Sequence, residues 1–135
     1  MVSDQNVEIA LRTFTAFVSE PPDVETLNEL LDPSHVFTTD WGVDSTEYHG
    51  VQGALAMLAD MNAIWDPWQQ KIERVIDAGD RGVVALLRLR AKGHASATPV
   101  EAPWALVATL RNGRIVTSRA FLSHAEALKA VGLEE

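Results

Sequence analysis

Asp40 is the residue of this chain whose type and setting could do proton chemistry. It closes a run, His35–Trp41, that is rich in Val, Phe, Thr and Trp and reads as a strand. On strict alternation Val36, Thr38 and Asp40 share one face, and Phe37, Thr39 and Trp41 the other. A carboxylate in apolar surroundings has its pKa raised, because desolvation penalises the charged form, and that brings it towards the range useful for moving protons. The same Asp in water, or capping the loop through Gly42–Ser45, would titrate normally. The sequence leaves both readings open.

Other chemistry has less support. His35, His49, His94 and His124 are scattered, with no H-x-H or H-E-x-x-H spacing for a metal. His49 precedes a helix start at Gly50 and His124 sits in a capping box, so both read as surface residues. Cysteine is absent, which excludes disulfides, thiolate catalysis and Cys-ligated metals. No Gly-rich phosphate loop occurs. Ser3, Ser19 and Ser123 lack the strand-to-helix elbow that activates a nucleophile. No cofactor and no metal are implied.

Helical spacing of Val7, Leu11, Phe14 and Phe17/Val18 predicts a helix over 4–19, ended by Pro21-Pro22. Asp23 reads as the N-cap of a second helix reaching about Leu31. The strand His35–Trp41 follows, then a polar loop, then a largely buried helix over 51–65, broken by Asp66-Pro67. Four strand-like runs come next: Trp68–Ala78, Val83–Lys92, Trp104–Arg111 and Ile115–Leu122. Their turns fall at Gly79–Gly82, around Ala95–Pro99, and at Asn112-Gly113, where both positions tolerate positive φ. Ser123 and Glu126 form a capping box, and Gly132 suits a left-handed helix stop. Helices followed by strands imply an α+β domain whose sheet buries one face under the helices. In Val83–Lys92 the even-numbered Arg88, Arg90 and Lys92 make a solvated face.

At 135 residues one domain, 1–135, is expected, burying roughly two-thirds of its unfolded surface. Residues 1–70 carry twelve acids against Arg12 alone, and the chain as a whole is at −8. Such a chain repels phosphate backbones, which argues against nucleic acid. The first residues show no secretory signal, and no apolar run approaches the ~20 residues of a membrane span. A cytoplasmic protein with no membrane partner is expected.

The segments Ala78-Gly-Asp-Arg-Gly-Val-Val-Ala85, Ala102-Pro-Trp-Ala-Leu-Val107, Arg111-Asn-Gly-Arg-Ile-Val116 and Ser118-Arg-Ala-Phe-Leu-Ser-His-Ala-Glu-Ala-Leu128 resemble the nuclear transport factor 2-like superfamily. Within it the chain is most similar to the SnoaL-like branch of polyketide cyclases and ketosteroid isomerases. The resemblance implies a cone: a bent antiparallel sheet wrapped around the N-terminal helices, with a short C-terminal helix and an apolar pocket at one end. It implies a homodimer through the outer sheet face, where Trp104 would be an anchor and Arg119 would point outward.

Matching the strands to the isomerase pattern turns Leu87, Leu89, Ala105, Val107, Ser118, Ala120 and Leu122 towards the pocket. Thr13, Phe17, Met57, Met61 and Trp65 would line it from the helices, with Trp68 and His94 near its mouth. Asp40 takes the place of the general base, and Val36, Thr38 and Asp40 would face the cavity. The isomerase's two oxyanion donors fall at Thr13, a weak donor, and Ala105, which cannot donate. The last-strand acid of related cyclases and hydrolases falls at Ala120. Two readings follow. One is a pocket for a small apolar or aromatic, carbonyl-bearing compound, with proton transfer by Asp40 assisted by Thr13 or His94. The other is a ligand-binding or protein-interaction domain without catalysis.

Overall fold

A computed structural model describes the backbone of residues 2–19, 21–41, 44–93 and 99–133; side chains at 2–4, 18, 40, 41, 44–46, 61–69, 91–93, 99 and 100 are outside the description. The elements are α1 (Val2–Val18), α2 (Val24–Leu30), β1 (Leu31–Trp41), β2 (Asp44–His49), α3 (Gly50–Ile64), β3 (Trp65–Asp77), a 3-10 turn (Gly79–Arg81), β4 (Val83–Gly93), β5 (Pro99–Arg111), β6 (Arg114–Phe121) and α4 (His124–Ala130).

Local chemistry sets the boundaries. Asp23 caps α2, accepting from the Thr26 backbone N–H at 3.2 Å and from its hydroxyl at 2.7 Å. Ser123 caps α4 by accepting from the Glu126 N–H at 3.3 Å, and Gly132 ends that helix at φ 76°. Asn112 and Gly113 stand at φ 54° and 78°, the paired positive values of a tight hairpin. The polar stretch after β1, expected as a loop, contains β2, which pairs Asp44 through His49 with Trp41 back to Val36. Its Asp-Ser-Thr-Glu composition hides an edge strand, where charge and polarity are tolerated. The turn expected around Ala95–Pro99 lies mostly outside the described residues.

The six strands form one curled, unclosed sheet in the order β2-β1-β6-β5-β4-β3. Neighbours are antiparallel except β1 and β6, which run parallel. The sheet is therefore mixed rather than wholly antiparallel, while β3 to β6 form the expected meander.

Helices α1, α2 and α3 cover one face. There Ile9, Phe14 and Phe17 meet Leu27, Leu30, Met57 and Leu58, and the sheet supplies Phe37, Ala85, Leu87, Trp104, Leu106 and Ala120. Helix α4 covers part of the other face, where Val84, Leu86, Ala105, Val107 and Phe121 pack with Ala127 and Val131. His124, expected at the surface, is half-buried and donates its Nε2–H to the Leu87 carbonyl at 2.8 Å, tying α4 to β4.

Two expectations about β5 are corrected here. Ala105 and Val107 do not face α1, α2 and α3; they sit opposite Leu86 and Val84 in the layer under α4. Trp104 is not on the outer surface. It pairs with Leu87, is 6 % exposed and belongs to the helix-side core, so it cannot anchor a dimer through the outer face. The run Trp104–Ala108 is apolar at every position because both its faces are covered. Alternation then carries no signal, and a one-residue slip exchanges the faces.

Candidate functional site

The helix-facing side of the sheet is apolar apart from a few side chains. On β1 it is the odd positions that face inward: Phe37 is in the helix-side core and His35 is 1 % exposed, whereas Val36 and Thr38 are only half-buried. The face that Val36 and Thr38 share is thus not the helix side, contrary to the expectation. The Asp40 side chain lies outside the described residues. Its backbone pairs with Ser45.

His35 and Ser118 come from the two parallel strands. Phe37 is directly opposite Ser118, so His35, one inward position earlier on β1, reaches the same hydroxyl. The ring Nε2 stands 2.9 Å from Ser118 Oγ, and both residues are buried. His35 Nδ1 has no protein partner among the described residues. Burial pushes the His35 pKa down from 6.5 to about 4, against a weaker upward pull from the Asp32 carboxylate. The ring is therefore neutral at physiological pH, with one nitrogen a donor and the other an acceptor.

A cavity of about 10 Å³ adjoins this pair. Its walls are Thr13, Phe14 and Phe17 of α1, Leu27 of α2, Ala54 of α3, and Leu31, His35, Phe37, Leu106 and Ser118 of the sheet. That volume is enough for one water molecule. Phe17 and Phe37 stack over it with ring centroids 5.7 Å apart, and Tyr48 meets Phe37 edge-on at 6.5 Å. Thr13 Oγ1 donates to the Ile9 carbonyl at 2.8 Å, so its proton is committed to its own helix and only its lone pairs remain to accept.

Of the residues expected at the pocket, Thr13, Phe17 and Ser118 line this cavity. Met57, Leu87 and Ala120 are buried in the same core without lining it, and Leu89 packs partly buried at its margin. Ala105 and Val107 are on the far side of the sheet. Leu122 follows the end of β6 and is 55 % exposed, so it faces solvent rather than the pocket. The side chains of Met61, Trp65 and Trp68, and all of His94, lie outside the described residues.

The expected absence of a donor on β5 rested on Ala105. The inward residue there is Trp104, whose indole N–H has no partner among the described residues. Arg119 is exposed, its guanidinium 4.9 Å from the Phe121 ring. His35 was missed because a lone His without metal spacing carries no motif. Its parity with Phe37 was the available signal.

Chemically, a Ser and a His within hydrogen-bond reach suggest a nucleophile and its base. A working pair needs a third group to orient the ring and a base that titrates near neutrality. Here Nδ1 lacks such a group among the described residues, and burial weakens the base. The arrangement is better suited to receiving a hydrogen bond than to splitting one. Among the described residues no group of three or more metal-ligating side chains occurs and no helix is long and apolar enough to cross a membrane.

The family model for the SnoaL-like domain matches residues 10–118. No curated protein sequence matches the chain. Among solved structures, a putative SnoaL-like polyketide cyclase from Jannaschia sp. is 22 % identical, with a TM-score of 0.73 over 98 % of this chain and 94 % of that one. An NTF2-like protein from Burkholderia thailandensis is 20 % identical, with a TM-score of 0.75 over 93 % and 95 %. A hypothetical protein of ketosteroid isomerase-like fold from Catenulispora acidiphila, in complex with trimethylamine, is 18 % identical, with a TM-score of 0.69 over 93 % of each chain. At these identities the structures establish the fold. With the family model spanning most of its length, the chain belongs to the SnoaL-like domain family.

Proposed function

We propose that this protein binds a small, largely apolar molecule between α1 and the helix-facing side of the sheet. The observation that carries the reading is the cavity whose walls are apolar except for Thr13, His35 and Ser118. Apolar walls with a few convergent polar groups are the usual make-up of a ligand site. Relatives of this fold take up small molecules, the Catenulispora protein with trimethylamine among them. At about 10 Å³ the cavity is a water-sized space. Binding of a larger guest requires the side chains that line it to move apart.

Ala54 on α3 is 1 % exposed and lines the cavity, so Ala54→Leu would fill it. A fragment screen followed by amide NMR should show shifts clustered at Thr13, Phe17, Phe37 and Ser118, lost in Ala54→Leu. Fragment shifts confined to other surfaces, or unchanged in Ala54→Leu, would contradict the reading.

A further inference from the structure

A second concavity, separate from the core cavity, is a groove of about 380 Å³ between α1 and α2. It lies on the opposite side of α1: Thr13, Phe14 and Phe17 are buried inward, whereas Leu11, Arg12 and Thr15 are exposed. Its size is that of a small-molecule site. Beside it the Ala16 carbonyl accepts from the Asp23 N–H at 3.0 Å and from the Ser19 hydroxyl at 2.9 Å, which joins the end of α1 to the start of α2.

The groups around the groove have unspent capacity of both signs. Arg12 stands 3.8 Å from Glu29, too far for a hydrogen bond, and both side chains are largely exposed. Such a pair is worth little and opens readily, so the guanidinium N–H groups are free to donate elsewhere. Asp23 takes one bond from Thr26 on each carboxylate oxygen, which leaves a lone pair on each. Those bonds, with a smaller pull from the Arg12 charge, hold its pKa below the usual value, and it stays ionised. Ser19 and Thr26 have given their protons to Ala16 and Asp23, so their oxygens can only accept.

An anion alone would meet the charges of Asp23 and Glu29. A cation alone would meet that of Arg12. We propose that this groove binds a short zwitterion, its carboxylate at Arg12 and its ammonium at Asp23. An ammonium has three N–H donors, and Asp23, Ser19 and Thr26 offer three acceptors. Arg12 and Ser19 are two turns apart on α1, roughly 10 Å along its axis. An α-amino acid is too short for that spacing, so the class is an ω-amino acid or a short peptide. Its aliphatic part would lie on Leu11, which is 42 % exposed.

The test compares ε-aminocaproate, caproate and hexylamine, which share an alkyl chain and differ in their charged ends. Each is titrated into the full chain at neutral pH and low salt, followed by amide NMR. Saturable shifts are expected at Leu11, Thr15, Ser19 and Thr26. The zwitterion is expected to bind about two- to fivefold tighter than either single ion, the effect of one exposed charge contact. Asn caps a helix as Asp does, so Asp23→Asn removes the charge and keeps the cap. In that variant the advantage over caproate should vanish, and in Arg12→Gln the advantage over hexylamine.

Caproate or hexylamine binding as tightly as the zwitterion overturns the ligand class. Preferences unchanged in both variants overturn the contacts assigned to Arg12 and Asp23. No saturable shift at these amides overturns the site, while the core cavity is judged separately by Ala54→Leu. If a variant fails to fold, the ratios in the unmodified protein still decide the matter.

Discussion

Ser118 Oγ lies 2.9 Å from His35 Nε2, and this contact joins β6 to β1 across the only parallel pair among the described strands. His35 and Ser118 are 83 residues apart in sequence, so the contact also ties distant parts of the chain together. Removing the hydroxyl leaves a buried imidazole nitrogen without its partner. Ser118→Ala is expected to destabilise the protein by about 1–3 kcal/mol in urea unfolding. A change within experimental error would mean that the two side chains do not meet.

His35 also predicts a pH dependence. Its folded pKa, about 4, is below the ordinary 6.5, so the unfolded chain binds the proton first as pH falls. Stability is complete above about pH 6.5, declines between 6.5 and 4, and levels off below for this residue. The full shift corresponds to roughly 3 kcal/mol. Asp23 and Asp32 have pKa values lowered by hydrogen bonds from Thr26 and Ser34, so their losses come in a separate window, below about pH 4. Urea midpoints between pH 7 and 4.5 should fall in the natural chain and stay flatter in His35→Phe. Parallel curves would remove His35 as the cause.

The two faces of the sheet can be told apart by truncation. Leu106 is 1 % exposed against the helices, so Leu106→Ala should cost about 2–5 kcal/mol. Leu122, more than half exposed just past β6, should tolerate Ala within about 0.5 kcal/mol. A pocket role for Leu122 would require the reverse.

Gly82 tests the close approach of the turn before β4 to β5. Its φ is 119°, and a Cβ there would meet the Ala108 carbonyl oxygen. Gly82→Ala combines a strained conformation with a backbone clash and should cost more than about 2 kcal/mol in thermal or urea unfolding. A neutral substitution would show that the strand has room to move.

Much of this fold was legible because its boundaries are marked by local chemistry. Asp23, Ser123, Gly132 and Asn112-Gly113 each do in the structure what their side chains or glycine freedom suggest. Legibility failed where the pattern had no period. The run Trp104–Ala108 is covered on both faces, so nothing in it says whether Trp104 or Ala105 turns inward. Strand β2 is polar because it is an edge, and so reads as loop. On β1 the expected chemistry was at Asp40 and on the face of Val36 and Thr38, whereas the buried polar residues are His35 and Thr39, on the face of Phe37. A single His becomes informative only when Ser118 arrives from the far end of the chain, which no local spacing records.

The most direct measurement is amide NMR of the intact chain and of Ala54→Leu during a fragment screen. Expected is a set of shifts clustered at Thr13, Phe17, Phe37 and Ser118 that is lost in Ala54→Leu. Shifts confined to other surfaces, or unchanged in Ala54→Leu, would contradict the cavity as the ligand site.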